Sequence, residues 1–332
     1  MIGVYFIERK KLNILENPHI TLLSTREVLG QFLKKPIDTI SCKLLEGGMD
    51  EAAVVKCSHG STNYIVKMFQ DTVAGKNEAL WTEFASRLGI GPNMYYADPA
   101  GTYFIMEFVE GASLTPNIIA NSTILQNIAK NIALCHRSNV LFAYETDIFT
   151  RITNKYKSLQ TSGALQNLLV GLWHYIETLK KAIRTIPVAT APCHNDLNPR
   201  NIFVDNNQAF IIDWGDAAMS NPFYDIAAFF ILNSLTQEQE TIFLTQYDTT
   251  LLEQHWQSYL SMLKQVVRFE FAVNLLRSVQ ELEKDFLIAS QLPQTKSLQY
   301  YLAIFAEQQT RIDAPFMYAL GLACLNEMRN QL

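Results

Sequence analysis

Residues 193–216 read CHNDLNPRNIFVDNNQAFIIDWGD, and this stretch decides how the rest of the chain is interpreted. Two short apolar runs, 201–204 and 209–213, are separated by the polar residues 205–208 (DNNQ). Short apolar runs joined by Asp and Asn are typical of a β-hairpin. The sequence therefore predicts a hairpin here, with a polar loop directly before it.

Three oxygen-bearing side chains lie around this predicted hairpin. If the turn is centred near Asn207, Asn201 and Asp213 are partners across the hairpin, and their side chains point into one space at its open end. Asp196 lies on the preceding loop, five residues before Asn201. Carboxylate and amide oxygens are hard ligands that suit Mg²⁺ holding nucleotide phosphates. The group predicts a site for a magnesium–nucleotide complex.

The chemistry of phosphoryl transfer suggests a role for each of these residues. The transition state is loose, so positioning and charge neutralisation dominate. Asn201 and Asp213 are the predicted metal ligands, and Asp196 is predicted to orient a substrate hydroxyl for in-line attack. The same spacing of Asp, Asn and a later Asp-x-Gly occurs in the protein-kinase signature. Taken singly each residue is more often structural, for example in a turn or a cap, but the combination favours catalysis.

A lysine in an apolar strand predicts the phosphate anchor. Residues 52–57 and 63–69 form a second predicted hairpin, and Lys67 lies within its second strand. Such a lysine either reaches out to solvent or meets an anion, and beside the 193–216 stretch we favour the nucleotide phosphates. Its expected carboxylate partner is on the following helix, with Glu78 preferred over Glu83. A solvated glutamate on the helix face is the alternative.

Gly47 and Gly48 precede that hairpin, and a glycine pair lets the backbone approach phosphate oxygens closely. The same pair is also common in a plain turn. The chain has no GxGxxG and no GKS or GKT sequence, which argues against dinucleotide-binding folds and P-loop NTPases.

The pattern along the chain predicts an α+β, bilobal fold. Residues 1–109 are expected to form a small, sheet-rich nucleotide-binding lobe with one helix. Residues 110–332 are expected to form a larger, mainly helical catalytic and substrate lobe that carries the hairpin. The first 40 residues give no clear pattern.

Composition excludes several classes of protein. The net charge of −5 gives no reason to expect nucleic-acid binding. No apolar run approaches the roughly 18 residues of a membrane span, and no signal peptide is recognisable, so we expect a cytoplasmic protein. The five cysteines include no CxxC pair and are expected to be isolated, reduced thiols. Nothing in the sequence indicates an oligomeric state.

Residues 43–280 resemble the choline/ethanolamine kinase and aminoglycoside phosphotransferase superfamily, which has the protein-kinase-like fold. The segments that carry the resemblance are LEGGMDEA (45–52), VKMF (66–69), NEALWTEFASRLGIGPNMYY (77–96), FIMEFVEGASL (104–114), CHNDLNPRNIF (193–203) and IIDWGDAAMSNPFYDIA (211–227). The resemblance implies ATP and Mg²⁺ as cofactors. It implies Asp196 as the catalytic aspartate, Asn201 and Asp213 as magnesium ligands, Lys67 with Glu78 as the ATP lysine and its partner, the backbone of Met106, Glu107 and Phe108 as the adenine site, and Asp225 as a structural brace for the catalytic loop.

The resemblance also bears on the acceptor molecule. The positions that carry the tryptophan cage for quaternary ammonium in choline kinases match Arg277 and Gln280 here, which disfavours choline itself. Glu270, Glu281 and Glu283 are candidates to receive an amine, and a solvated helix face is the alternative.

The predicted function is transfer of the γ-phosphate of ATP to a hydroxyl of a small polar molecule, an amino alcohol or aminoglycoside-like compound. The alternatives are a pseudokinase or binding module of the same fold, and a kinase that acts on protein. A pseudokinase typically lacks one of the key residues, and none of Asp196, Asn201, Asp213 or Lys67 is missing.

Overall fold

The computed structural model describes residues 18–45, 52–142, 144–161, 163–283, 294–307 and 312–330. The chain divides into two compact units. The first comprises the described residues up to Arg87 together with Pro92–Phe108, and the second comprises Leu88–Gly91 together with the described residues from Val109 onwards. The first unit is rich in sheet and the second is mainly helical, as the sequence predicts.

The described part of the first unit contains one five-stranded sheet, two α-helices and a short 3-10 helix (Ile37–Thr39). Its elements are α1 (Pro18–Leu33), β1 (Ser41–Leu44), β2 (Ala53–His59), β3 (Thr62–Met68), α2 (Thr72–Leu88), β4 (Met94–Ala97) and β5 (Tyr103–Glu107). The strand order is β1-β2-β3-β5-β4, and every neighbouring pair is antiparallel. A tight turn at Gly60, whose φ is +61°, joins β2 to β3 and gives the hairpin that the sequence predicts.

The two faces of this sheet bury different side chains. Val55 and Val66 pack with Leu29 of α1 on one face. Ile65 and Phe104 pack with Ala79 of α2 on the other. The alternation of side chains along β3 therefore places Ile65 and Lys67 on the face that α2 covers.

The cysteines are not all isolated, and that prediction is wrong for one pair. Cys42 on β1 lies directly opposite Cys57 on β2, with the two sulfur atoms 2.6 Å apart. A spacing rule such as CxxC detects only local pairs, whereas strand pairing brings together residues 15 positions apart.

The described part of the second unit is mainly helical. It also contains five short strands, which form one two-stranded and one three-stranded sheet. Its elements are β6 (Ala112–Ser113), α3 (Pro116–Ile119), α4 (Ser122–His136), α5 (Ile148–Ser158), α6 (Gly163–Ile183), β7 (Ala191–Cys193), β8 (Ile202–Asp205), β9 (Gln208–Ile211), β10 (Ala218–Ser220), α7 (Pro222–Leu232), α8 (Gln237–Tyr247), α9 (Gln254–Leu282), α10 (Leu298–Glu307) and α11 (Ala314–Arg329). The long helix α9 forms the centre of the core and packs against α5, α6, α7 and α11. Among the described residues, no helix combines the length and the apolar character needed to cross a bilayer.

The predicted catalytic hairpin is present, but its register differs by one residue from the prediction. Ile202 pairs with Ile211, and the backbone N–H of Ile212 donates to the carbonyl of Asn201 at 2.9 Å. Asn201 is therefore opposite Ile212, and not opposite Asp213. The cause is a two-residue turn at Asn206 and Asn207, both with positive φ, which suits the twist of a hairpin better than a longer polar loop.

Candidate active site

Asp196 is held in place by two side-chain amides. Asn201 donates through Nδ2 to Asp196 Oδ2 at 2.8 Å and to its backbone carbonyl at 3.0 Å. Asn198 donates to the same Oδ2 at 3.0 Å. The carboxylate is thus fixed in one orientation, as a group that must position a substrate hydroxyl should be.

Asn198 is fixed by the local sequence. It precedes Pro199 and begins a short 3-10 turn, and its Oδ1 accepts the backbone N–H of Arg200 at 2.9 Å. Asn is favoured at such a position because its side chain satisfies a backbone donor that the turn leaves open. The Asn-Pro pair marks this turn in the sequence, but a turn signal does not reveal that Asn198 also holds Asp196.

Asp213 reaches the same site by a different route from the one predicted. It follows β9 with φ of +63°, in the left-handed region, so its side chain no longer obeys the alternation of the strand. Its charge nevertheless acts on Asp196. Burial raises the pKa of Asp196 to about 7, and the nearby carboxylates of Asp216 and Asp213 add to that rise.

These residues fit a divalent cation. The amide nitrogen of Asn201 faces Asp196, which leaves its amide oxygen on the other side of the group. That oxygen and the Asp213 carboxylate are hard donors, the type that Mg²⁺ prefers. The carboxylates of Asp213 and Asp216 lie close enough to Asp196 to raise its pKa. A bound cation would offset the negative charge of these three groups. The structure thus brings together the predicted catalytic residue and both predicted metal ligands.

Asp225 holds the start of the loop that carries Asp196. The backbone N–H groups of His194 and Asn195 donate to its two oxygens, both at 2.7 Å. His136 Nε2 lies 3.1 Å from the same carboxylate, and His136 Nδ1 lies 2.9 Å from the hydroxyl of Tyr247. Burial raises the pKa of Asp225, but the hydrogen bonds from the His136 ring and the His194 backbone help to outweigh burial and hold it below its ordinary value.

His194 links the catalytic loop to the strand that precedes Asp213. Its Nε2 lies 2.9 Å from the carbonyl of Ile212, so Nε2 is the donor, and its Nδ1 accepts the backbone N–H of Asp196 at 3.2 Å. One donor and one acceptor define a neutral ring. Burial lowers the pKa of His194 and favours the same neutral form.

In the first unit, Lys67 meets a carboxylate. Its Nζ donates to Glu78 Oε1 at 2.6 Å, and both residues are buried. Glu83, the other candidate partner, is exposed and pairs with Arg87 one helical turn later. The lysine is therefore not a solvent-reaching surface residue, and its partner Glu78 is not a solvated helix-face residue.

The predicted adenine strand lies at the end of β5. Met106 is buried, and the N–H groups of Glu107 and Phe108 donate to the carbonyls of Asn93 at 2.8 Å and Asn63 at 3.4 Å. An adenine base that accepted a hydrogen bond from the N–H of Phe108 would have to replace the 3.4 Å bond to Asn63. The predicted phosphate-loop glycines, Gly47 and Gly48, lie outside the described residues.

Glu270 is neither an amine receptor nor part of a solvated face. It is 2% exposed and accepts two hydrogen bonds from Arg151, at 2.7 and 3.0 Å, and one from Lys155 at 3.1 Å. The hydroxyl of Tyr224 donates to it as well. Burial opposes ionisation, but Arg151 and Lys155 outweigh burial and lower the pKa of Glu270 to about 2. No local sequence pattern indicates Arg151 and Lys155, because their partner lies on another helix more than 100 residues later.

The other two candidates for an amine site, Glu281 and Glu283, are exposed at the end of α9. The two positions matched to the cage are engaged by other groups. Arg277 lies 3.5 Å from Glu281 on an exposed part of α9. Gln280 accepts the backbone N–H of Gln160 at 2.7 Å, so it joins two segments of the fold. Neither arrangement forms an aromatic cage.

The sequence as a whole matches a known protein family. The model of the choline/ethanolamine kinase family matches residues 42–311, most of the chain. The chain belongs to the choline/ethanolamine kinase family.

The individual proteins that the chain is similar to share less than a third of their residues with it. A LicA homolog from Metamycoplasma hominis is 30% identical over 141 residues, which is 42% of this chain and 55% of that protein. This chain thus matches about half the length of that relative. The crystal structure of the choline kinase LicA from Streptococcus pneumoniae gives a TM-score of 0.66 at 19% identity, covering 93% of this chain and 99% of that one. An aminoglycoside phosphotransferase solved with GDP and kanamycin gives 0.62 at 15% identity, covering 93% and 99%. These likenesses show the protein-kinase-like fold.

Proposed function

We propose that the protein transfers the γ-phosphate of ATP, with Mg²⁺, to the hydroxyl of a small polar amino alcohol or aminoglycoside-like compound. The observation that carries the proposal is the fixed Asp196 carboxylate. Two amides hold one of its oxygens, and the carboxylates of Asp213 and Asp216 lie close enough to raise its pKa. This arrangement is what in-line phosphoryl transfer requires of a hydroxyl-orienting group beside a metal site.

In the proposed mechanism, Asp196 accepts a hydrogen bond from the acceptor hydroxyl and aligns its oxygen with the γ-phosphorus. The hydroxyl oxygen forms the new P–O bond, the bond to the β–γ bridging oxygen breaks, and the hydroxyl proton passes to the Asp196 carboxylate. Asn201 and Asp213 would hold Mg²⁺, which when bound neutralises charge on the transferred phosphoryl group.

In the first unit, Lys67 is the residue that we assign to the nucleotide phosphates. Lys67, held by Glu78 at 2.6 Å, is suited to pair with the α- and β-phosphates. The similar aminoglycoside phosphotransferase was solved with GDP, so the choice between ATP and GTP needs a direct measurement. We assign ATP, and a comparison of the kcat/KM values for the two nucleotides tests that assignment.

Asp216 is the group we assign to a cationic acceptor. It is exposed, it lies near Asp196, and it follows the Asp-Trp-Gly sequence directly. Glu270 cannot serve this purpose, because its two oxygens are occupied by Arg151, Lys155 and Tyr224. The Asp216→Asn variant should therefore raise KM for an amino alcohol more than it lowers kcat.

The decisive experiment measures ADP release with Mg-ATP over a panel of hydroxyl compounds. The panel contains choline, ethanolamine, other amino alcohols, an aminoglycoside, and uncharged polyols as a comparison. The proposal predicts turnover with at least one amine-bearing alcohol, and a loss of at least about 100-fold in kcat for Asp196→Asn. Turnover only with a protein substrate would contradict the proposal.

A matched control separates loss of chemistry from loss of folding. Asp38→Asn changes the same functional group at an exposed position and should leave turnover unchanged. If the protein binds Mg-ATP by calorimetry but phosphorylates no member of the panel or of a wider metabolite library, the pseudokinase alternative replaces the proposal.

A further inference from the structure

Two thiols in the first unit are arranged for a reaction that phosphoryl transfer does not use. Cys42 on β1 and Cys57 on β2 are direct neighbours across the strands, and their sulfur atoms are 2.6 Å apart. Both are free thiols in the structure. The pair lies on the face of the sheet that α1 covers, beside Val55 and Leu29.

The register shows that the backbone is already suited to a disulfide. The N–H of Leu45 donates to the carbonyl of Val54 at 2.8 Å, so this pair is hydrogen-bonded. Hydrogen-bonded and non-hydrogen-bonded pairs alternate along an antiparallel ladder, and Cys42–Cys57 lies three positions away. It is therefore a non-hydrogen-bonded pair, in which Cα atoms are about 4.5 Å apart. That distance lies inside the range of roughly 4.4–6.8 Å found in disulfides.

The surroundings give the two thiols different reactivities. The hydrogen bond from Cys57 lowers the pKa of Cys42, burial opposes this, and the positive charge of Arg26 on α1 lowers it further. Arg26 Nε is buried and has no hydrogen-bond partner among the described residues. Cys57 is fully buried, and its pKa is strongly raised by the bond to Cys42 and by burial. Cys42, which is partly exposed, is thus the nucleophile of the pair.

We propose that Cys42 and Cys57 form a redox-reactive dithiol that a low-molecular-weight disulfide converts into an intramolecular disulfide. The Cys42 thiolate attacks one sulfur of the reagent, forms a mixed disulfide and releases one thiolate. Cys57 then loses its proton and attacks the Cys42 sulfur, which releases the second thiolate. The two protein thiols are oxidised, and the reagent disulfide is reduced to two thiols.

The product would tie the edge strand β1 to the rest of the sheet. Among the strands that the structure describes, β1 pairs with β2 alone, so its attachment depends on that pairing and on α1. A cross-link between residues 15 positions apart restricts the unfolded chain, which raises the melting temperature. We expect an increase of several degrees on oxidation, reversed by a reducing agent.

The test treats the full-length, folded protein with oxidised glutathione, followed by acid quenching and mass spectrometry of a non-reduced digest. The expected result is a linked peptide pair that contains Cys42 and Cys57. The Cys57→Ser variant should instead accumulate glutathione on Cys42, and Cys42→Ser should react at neither position. Cys324→Ala, which removes a buried thiol in the second unit, should leave the linkage unchanged.

The wild-type digest alone can overturn the proposal, so it does not depend on the folding of any variant. Absence of the Cys42–Cys57 link on the folded protein, when the same digest of unfolded and oxidised protein contains it, contradicts the proposal. Glutathione found on Cys57 rather than Cys42 contradicts the assignment of the nucleophile.

Discussion

A single carboxylate, Asp225, fixes the start of the catalytic loop. It accepts two backbone N–H groups and lies against His136, and it is 1% exposed. A buried group with three donors has no water to replace any donor that it loses. The position of Asp196 therefore depends on a residue that touches no substrate in the proposed mechanism.

The Asp225→Asn substitution tests this dependence. The amide keeps one carbonyl oxygen but turns an NH₂ group towards one of the present donors, so at least one buried hydrogen bond is lost. We expect the free energy of unfolding to fall by about 3 kcal/mol in urea denaturation, together with a lower kcat. Asp248→Asn, at an exposed pair with Arg137, should change stability by less than about 1 kcal/mol. Equal effects of the two substitutions would contradict the interpretation.

Substitutions at Lys67 and Glu78 can separate an effect on stability from an effect on nucleotide binding. Lys67→Met leaves the buried Glu78 without its cation, so we expect a loss of about 3 kcal/mol in the free energy of unfolding. Adding Glu78→Gln removes the unpaired charge and should restore most of that stability. Nucleotide affinity, measured by calorimetry, should stay low in the double variant, because the lysine assigned to the α- and β-phosphates is still missing. Recovery of affinity in the double variant would rule out the proposed role of Lys67.

At the scale of elements, Glu270 connects three helices of the second unit. It belongs to α9, Arg151 and Lys155 belong to α5, and Tyr224 belongs to α7. Replacing one partner of such a cluster leaves the other charges buried without compensation, which costs more than the intact cluster contributes.

The pH dependence of stability should report this cluster. The folded pKa of Glu270, about 2, lies below its ordinary value of 4.5, so its contribution is complete above about pH 4.5 and is lost as pH falls towards 2. A shift of this size corresponds to about 3 kcal/mol. The difference in unfolding free energy between wild type and Glu270→Gln should be constant from about pH 7 to pH 5 and should shrink by about pH 3.5. A difference that does not change with pH would mean that the carboxylate charge is not what stabilises the cluster.

At the scale of the whole molecule, binding of Mg-ATP should stabilise the folded chain. A ligand at 100 times its Kd adds about 2.7 kcal/mol to the free energy of unfolding, so the melting temperature should rise with nucleotide concentration. Chelation of the metal should reduce the rise, and Asp213→Asn should nearly abolish it. An equal rise in the Asp213→Asn variant would contradict its assignment as a metal ligand.

The sequence predicts those features of the molecule that depend on residues close together in the chain. Both hairpins were predictable, because turn residues such as Gly60 and Asn206-Asn207 act on their immediate neighbours. The contact between Asp196 and Asn201 followed from a five-residue spacing. The one-residue register difference at Asp213 arose from turn geometry, which composition does not specify.

What the sequence did not reveal depends on distant partners. Helices α1 and α5 gave no recognisable pattern, although α5 supplies Arg151 and Lys155 to a buried cluster. Glutamate is usually exposed on a helix surface, so the sequence suggests that Glu270 is solvated. It is buried because α9 packs against α5 and α7. The pairing of Cys42 with Cys57 likewise required the strand register.

The separation of Glu270 from its partners has a consequence for the order in which a ribosome-bound chain can fold. Glu270 follows Arg151 by 119 residues and Lys155 by 115, so α5 leaves the ribosome long before its counter-charge exists. Until α9 has been synthesised, the two cations lack the buried Glu270 carboxylate, so docking of α5 leaves their charges less well compensated. A nascent chain that stops before α9 should therefore leave α5 open to proteases, and α5 should become protected only once α9 has emerged.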